Sequence, residues 1–170
     1  QQAEAMKEAY KEMGEIWNEF QKISDRRYSN IRKYRLKDAD VAVVTMGSTS
    51  GTARYAVDQL RNKGVKAGSL SVRLFRPFPA KELRQALEGV KAVAILDRAA
   101  SFGAPMAPLY SDIATMLYDV RQHPTIIDFV YGLGGRDVTV DMIASAAKQA
   151  LEARRKKRVI DEPVYLGVRE

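Results

Sequence analysis

The chain has 170 residues and a formal net charge of +7, a length that fits one domain of ordinary size together with an arm. It contains no cysteine and a single histidine, His123; this composition excludes disulfides, thiolate zinc sites, His-rich metal sites and any iron–sulfur cluster held by this chain. No run of about 18 apolar residues is present, so no transmembrane helix is predicted, and the charged N-terminal residues are unlike a secretory signal.

The N-terminal residues 3 to 23 predict one long helix. Glu and Lys alternate along one face, while apolar residues recur every three or four positions on the other. We expect this apolar stripe to pack on the domain or on a neighbouring one, with the only tryptophan substantially buried in the native assembly. The stripe consists of Met6, Ala9, Tyr10, Met13, Ile16, Trp17, Phe20 and Ile23.

The next segment predicts the start of a β-sheet. Residues 31–36 alternate loosely between apolar and charged side chains, as an edge strand does. Residues 37–40 form a predicted tight turn into the uninterrupted apolar run Val41–Val44, which has the pattern of a strand covered on both faces. These two strands are therefore predicted to be antiparallel neighbours.

A turn of small residues follows the Val41–Val44 run, and a helical pattern is predicted from Ala53 onwards. The hydroxyl groups and backbone N–H groups of this turn resemble the phosphate loop of flavodoxins, in which a helix N-terminus holds an anion. A turn of this kind can equally serve only to cap the helix and to allow close packing. The candidate anion-binding residues are Ser48, Thr49, Ser50, Gly51 and Thr52.

The rest of the chain alternates buried strands with amphipathic helices. Strands are predicted at 65–75, 90–96 and 125–131, and helices at 80–87, 109–120 and 140–151, the last capped by Thr139. The sequence thus predicts an α/β fold: a three-layer α/β/α sandwich with a mixed five-stranded sheet, the first strand antiparallel, preceded by a long N-terminal helix. We divide the chain into a helical arm and connector (1–30), the α/β domain (31–153) and a basic tail (154–170).

Four predicted loops meet at the carboxyl edge of this sheet, where ligands of open α/β sheets bind. They bring charged residues to one rim, which could form a site or an interface; alternatively, Asp97 and Arg136 could simply pair and cap helices. The glycine turn 132–135 lacks the spacing of a dinucleotide fingerprint, and no nucleophile–base pair or metal-ligand set is found. We predict no catalytic residue, and the interface candidates are Arg76, Asp97, Arg98, Gly134, Arg136 and Asp137.

The positive charge is concentrated in one run at the C-terminus. Removing the five charges of Arg154, Arg155, Lys156, Lys157 and Arg158 from +7 leaves only +2. Such a run is typical of a solvated terminus or of a contact with an acidic neighbour, so we predict neither a nucleic-acid nor a membrane partner. The charged content of 29% without cysteine favours a thermophilic source, and because the chain begins with Gln1 we expect a piece of a longer protein.

Four motifs in this order, TMGSTSGT, FRPFP, LDRAASFG and YGLGGRDVT, resemble a known family. Over residues 1 to about 153, the chain is similar to the C-terminal domain of the alpha subunit of pyruvate:ferredoxin oxidoreductase and its 2-oxoacid relatives. The resemblance implies a fold like the C-terminal domain of transketolase, with an antiparallel first strand. This implied fold agrees with the one predicted from the residues.

The resemblance also implies a function. Enzymes of this family are cytoplasmic and use thiamine diphosphate with Mg²⁺, iron–sulfur clusters and coenzyme A to convert a 2-oxoacid into acyl-coenzyme A, CO2 and reduced ferredoxin. We expect pyruvate as the substrate, but the sequence does not separate it from branched-chain or other 2-oxoacids. This chain would be a non-catalytic supporting domain that binds none of these cofactors, and its partners would be the rest of the enzyme, with ferredoxin as the acceptor. Two alternatives remain: a flavodoxin-like flavin carrier and a free-standing interaction module.

Overall fold

The fold is centred on a six-stranded sheet in the computed structural model, which describes residues 1–158 and 161–168. In the described part of the chain, the helices are α1 (Gln2–Ser24), α2 (Thr49–Asn62), α3 (Ala80–Leu87), α4 (Pro108–Leu117) and α5 (Val140–Lys156). The strands are β1 (Ile31–Tyr34), β2 (Val41–Met46), β3 (Ala67–Val72), β4 (Ala92–Asp97), β5 (Thr125–Val130) and β6 (Val164–Tyr165), and a short 3-10 helix spans Leu133–Gly135.

The strands lie in the order β1-β3-β2-β4-β5-β6, and every strand is parallel to its neighbours except β1. Helices α2 and α5 cover one face of the sheet, in contact with Val41 and Val43 of β2. Helices α3 and α4 cover the other face, in contact with Ala42 and Val44. The predicted three-layer sandwich and mixed sheet are therefore confirmed, and the uninterrupted apolar run of β2 is explained by its burial on both faces.

The predicted neighbour of the first strand is wrong. Strand β1 pairs antiparallel with β3, with Ile31 opposite Val72, and not with β2. Both edges of β2 are already taken by β3 and β4, so the chain after β1 must cross over the beginning of β3. Gly68 permits this crossing, because a Cβ atom there would lie only 2.8 Å from the Arg35 carbonyl oxygen and the Leu36 Cα atom.

The predicted strand count is also too low by one, because part of the tail joins the sheet. Strand β6 pairs in parallel with β5, with Phe129 opposite Val164, and Leu166 N–H donates to the Val130 carbonyl at 2.8 Å. Two residues form too short a pattern to be recognised as a strand. The predicted tail at 154–170 otherwise begins inside α5, which runs to Lys156, and its residues 159–160 and 169–170 lie outside the described ones.

Helix α1 lies outside the three layers and has no buried residue. It is held to the domain by polar contacts: Trp17 Nε1 donates to Asn30 Oδ1 at 2.8 Å, Asn30 Nδ2 donates to Glu82 Oε1 at 2.9 Å, and the Tyr10 hydroxyl donates to Glu82. Ile23 is 85% exposed, and the side chains of Met6, Ile16 and Phe20 are also exposed. Much of the predicted apolar stripe is therefore uncovered, and the burial of half-buried Trp17 in an assembly stays a prediction. No helix in the described ranges is both long and apolar enough to cross a membrane.

Candidate functional site: the carboxyl rim of the sheet

The candidate site is the edge of the sheet where β2, β3, β4 and β5 end, which we call the carboxyl rim. Direct contacts join the loops that follow β4 and β5: Tyr131 N–H donates to the Asp97 carbonyl at 2.9 Å, and the Arg98 side chain lies against Gly132. Gly132 has φ +68, and a Cβ atom there would lie 3.1 Å from Arg98 Nε. Glycine is therefore needed at this position both for the backbone and for the packing of Arg98.

Arg76 is fixed on this rim by contacts within the domain. Its Nη2 atom lies 2.9 Å from Asp112 Oδ2 in α4, and its guanidinium lies 4.1 Å from the centre of the Phe75 ring. The side chain nevertheless remains exposed, so one face of the guanidinium is open to a neighbour. An exposed arginine whose position is already restricted loses little conformational entropy when a partner binds it.

Asp97 has a different position from the other candidates, because its carboxylate is turned into the domain. The residue is 7% exposed, and its two oxygens accept the backbone N–H groups of Leu109 and Tyr110 at 3.2 and 3.0 Å. It thus caps the first turn of α4, as the structural alternative predicted. Burial raises the pKa of this carboxyl above its ordinary value.

The predicted pairing of Asp97 with Arg136 is wrong. Arg136 instead donates from Nη1 to the Gly167 carbonyl at 2.7 Å and so holds the C-terminal segment beside the last rim loop. Gly134, Arg136 and Asp137 are all exposed in this loop, as is Arg98 in the loop after β4. The outward-facing candidates are therefore Arg76, Arg98, Gly134, Arg136 and Asp137.

The turn after β2 is already part of a helix, because α2 begins at Thr49 and not at Ala53. The Thr49 hydroxyl lies 2.7 Å from the Tyr131 hydroxyl, and the Ser50 hydroxyl is bonded to Thr45 Oγ1 at 3.2 Å and to Ser71. These two hydroxyl groups therefore join α2 to the strands. Ser48 and Gly51 are the exposed members of the candidate anion-binding turn.

Residues 1–158 and 161–168 contain no cluster of metal-ligand side chains. No group of three or more His, Asp or Glu side chains in these ranges is placed to hold a metal ion. His123 lies in the loop before β5, at the opposite edge of the sheet, with its Nδ1 atom 3.1 Å from the Pro124 carbonyl. The outward surface of the rim therefore consists of loops that carry charged side chains.

Comparison with known proteins identifies the family that carries this fold and these motifs. Residues 39–143 match the family model described as pyruvate:ferredoxin oxidoreductase core domain II. The chain belongs to this core domain II family. The match contains all four motifs and the four loops of the carboxyl rim.

Curated relatives of this core domain II are more than twice as long as the chain. Over 170 residues it is 44% identical to pyruvate synthase subunit PorA of Thermotoga maritima, covering 100% of this chain and 42% of the relative. Over 166 residues it is 35% identical to the same subunit of Pyrococcus furiosus, covering 98% and 42%. It is also 39% identical over 163 residues to ketoisovalerate oxidoreductase subunit VorA of Pyrococcus horikoshii, covering 94% and 41%. These sources fit the expected thermophile.

Solved structures support the fold of the core domain II. An inactive β4 tetramer of a split-gene transketolase aligns with a TM-score of 0.60 at 19% identity, over 77% of this chain and 46% of that one. A 2-oxoglutarate:ferredoxin oxidoreductase from Magnetococcus marinus aligns with a TM-score of 0.53 at 22% identity, over 73% and 20%. The predicted transketolase-like fold is therefore confirmed, and the family assignment favours it over the flavodoxin-like alternative.

Sequence reasoning missed two residues of this core domain II. Phe102, in the loop after β4, is 100% exposed. The sequence feature that could have revealed it is a large aromatic residue inside a loop of Ala, Gly and Pro. Asp128, in β5, is fully buried. The sequence feature that could have revealed it is a single carboxyl in the apolar strand TIIDFV. Asp128 Oδ2 accepts the Ala107 N–H at 2.7 Å while Oδ1 has no partner, and burial raises its pKa to about 6. Asp97 and Asp128 together anchor the end of the loop that carries Phe102.

Proposed function

We propose that this chain is a non-catalytic supporting and assembly domain of a thiamine-diphosphate-dependent 2-oxoacid:ferredoxin oxidoreductase that acts on pyruvate. The whole enzyme would make acyl-coenzyme A and CO2 and pass electrons to ferredoxin, and it would work in the cytoplasm. The observation that carries this proposal is the similarity of the entire chain to pyruvate synthase subunits, 44% identical in the Thermotoga maritima relative. The ketoisovalerate relatives make a branched-chain 2-oxoacid the nearest other substrate.

The residues of this chain do not fit the cofactors of such an enzyme. Protein-bound iron–sulfur clusters need thiolate ligands, and the sequence has no cysteine. A diphosphate-bound Mg²⁺ ion needs oxygen ligands gathered at one point, and no such group of carboxylates occurs in the part of the chain that the structure describes. We therefore assign thiamine diphosphate, Mg²⁺ and the clusters to other parts of the enzyme.

The carboxyl rim has the features of a docking surface. Phe102 is fully exposed, with charged Arg98, Arg136 and Asp137 on the same rim. Aromatic residues and arginines are the side chains that most often dominate protein interfaces. Because the curated relatives are more than twice as long as this chain, we propose that the rim docks against the remaining domains and subunits of the enzyme. Asp97 would support this surface from inside by fixing the start of α4.

Helix α1 offers a second docking surface. Its exposed Met6, Ile16 and Ile23 belong to the predicted stripe, and the polar contacts of Trp17 and Tyr10 fix the helix to the domain without covering these three side chains. An apolar helix face that stays in water is unfavourable by roughly 25 cal/mol for each Å² that a neighbour could cover. We propose that this face connects the domain to the thiamine-binding part of the enzyme.

The test of the rim is Phe102→Ala in the complete enzyme. We expect a reduced fraction of assembled complex in native mass spectrometry and a parallel loss of pyruvate-dependent ferredoxin reduction, because truncation removes an aromatic anchor from the interface. Tyr118→Ala is the matched control, since Tyr118 is also 90% exposed but follows the other end of α4. Unchanged assembly and activity for Phe102→Ala would refute the docking role of the rim.

Charge reversal gives an independent test of the same surface. Arg136→Glu should weaken assembly, but it also removes the bond to the Gly167 carbonyl, so Arg98→Glu is needed beside it. Both variants should reduce assembly if the rim meets a partner. If only Arg136→Glu reduces assembly, the loss comes from the displaced C-terminal segment. The proposal that the charges of the rim meet complementary charges on a partner is then wrong.

A further inference from the structure

A cleft outside the carboxyl rim lies between α1, β1, β3 and the first turn of α2. Its volume is about 820 Å³, within the range of roughly 300–1,000 Å³ that is usual for small-molecule sites. Apart from Met46 and Val72, the side chains around it fall into three groups, namely cations, aromatic rings and hydroxyls. They are Arg32, Arg54 and Arg73; Trp17, Phe20, Tyr28 and Tyr34; and Ser48, Ser50, Ser69 and Ser71.

The three arginines leave the cleft with unbalanced positive charge. In the described ranges the eight ion pairs of the chain involve other cations, and none includes Arg32, Arg54 or Arg73. Arg73 is half-buried; its burial, together with the charges of Arg32 and Arg54, lowers the pKa of its guanidinium. Gathering three like charges is unfavourable unless an anion joins them.

Aromatic rings form one wall of the same cleft. The Trp17 and Tyr28 rings are stacked with their centres 6.1 Å apart, and Phe20 meets Tyr28 edge-on at 5.3 Å. The Arg73 guanidinium lies 4.5 Å from the centre of the Tyr28 ring. A planar apolar group could therefore pack against aromatic surface next to the positive charges.

The remaining side of the cleft is polar and is formed by the beginning of α2. Ser48 and Gly51 are exposed there, and the helix N-terminus adds the positive end of its dipole to the arginines. Ser69 and Ser71 of β3 lie at the base of this side; both are buried, and the Ser71 hydroxyl is bonded to Ser50. The candidate anion-binding turn Ser48–Thr52 thus lies beside Arg54, which follows it closely in the chain, and beside Arg32 and Arg73 from other elements.

We propose that this cleft binds a nucleotide-like organic phosphate. Its phosphate groups would lie between Arg32, Arg54 and Arg73 near the start of α2, because guanidinium groups match phosphate oxygens in charge and in hydrogen-bond geometry. Its planar part would pack on the wall formed by Trp17 and Tyr28. The proposal is independent of the supporting role proposed above, since it concerns a ligand of this chain and not its assembly.

The test is isothermal titration calorimetry of the intact protein at low ionic strength with ADP, adenosine and inorganic phosphate as probes. We expect ADP to bind more tightly than either of its parts. Arg54→Gln and Arg73→Gln should each weaken ADP binding at least tenfold, whereas Arg121→Gln, an exposed arginine before β5, should change it less than twofold. Tyr28→Leu should weaken ADP binding but leave phosphate binding unchanged.

Several results would overturn the proposal. ADP binding that is equal in the wild type and in Arg73→Gln would place any nucleotide site elsewhere. Phosphate binding as tight as ADP binding would reduce the cleft to an anion site without a wall for the planar group. If no probe binds and Arg54→Gln disrupts the complex, the cleft contacts a protein partner and not a small molecule. Because these readouts are probe affinities and the integrity of the complex, they do not depend on the activity of the enzyme.

Discussion

Replacing Asp128 by Asn should remove a loss of stability that the wild-type chain undergoes as the pH rises. Burial raises the pKa of this carboxyl from 3.8 to about 6, so the folded state binds its proton more tightly than the unfolded state does. The stability that this group contributes is fully present below pH 3.8, where both states are protonated. It is lost as the pH rises through the folded-state pKa of about 6.

The size of the effect follows from the shift of about two pKa units. At about 1.4 kcal/mol per unit, the full shift corresponds to about 3 kcal/mol; about 2 kcal/mol of it is lost between pH 4 and 7, because the unfolded-state carboxyl is already more than half ionised at pH 4. In Asp128→Asn the amide oxygen can still accept the Ala107 N–H. The amide NH2 group then lies where the wild type has the unpartnered Oδ1 atom, and because an amide does not titrate, its effect on the free energy of unfolding is the same at every pH. The difference between wild type and variant should therefore vary by about 2 kcal/mol between pH 4 and 7.

Equilibrium urea unfolding at pH 4, 5, 6 and 7 measures this difference. Other carboxyls, such as Asp58 beside Arg35, have lowered pKa values and give the opposite slope, but they cancel when the variant is compared with the wild type. Asp97 is also buried, and its raised pKa gives a slope of the same sign in both proteins. Asp25→Asn, at the exposed end of α1, is the control. If Asp128→Asn and the wild type lose stability in parallel as the pH rises, the buried charge at Asp128 does not have the assigned effect.

Three further substitutions test the packing around the sheet by the same unfolding assay. Gly68→Ala should destabilise the chain by about 2 kcal/mol, because the new Cβ meets backbone atoms of Arg35 and Leu36 at 2.8 Å; a neutral effect would refute the close crossing over β3. Thr139→Ala should lower stability by about 1 kcal/mol through loss of the bond from Met142 N–H, and Thr139→Ser should restore it. Arg61→Lys should lower stability by about 1–2 kcal/mol, because a single ammonium cannot replace bonds to the carbonyls of residues 35 and 67 and to Asp38; full retention would show that those bonds are dispensable.

The elements of the sheet could be predicted because their signals are local. The apolar run Val41–Val44 is buried on both faces, as such runs are in parallel sheets, and Thr139 caps α5 as its position before an amphipathic helix predicts. The order of the strands was harder to predict, because the pairing of β1 with β3 depends on the absence of a side chain at Gly68. A two-residue strand such as β6 has no periodicity of its own.

For the candidate surfaces, too, some features could be predicted from the sequence and others only from the fold. Composition alone excluded thiolate ligands, and the motifs alone identified the family, because both are properties of the sequence. Whether Asp97 faces a partner or caps α4 was decided by its burial, since a carboxylate removed from water must find hydrogen-bond donors nearby. Only the fold brings Arg32, Arg54 and Arg73 around one cleft, because these residues come from different elements and no spacing along the chain predicts their meeting.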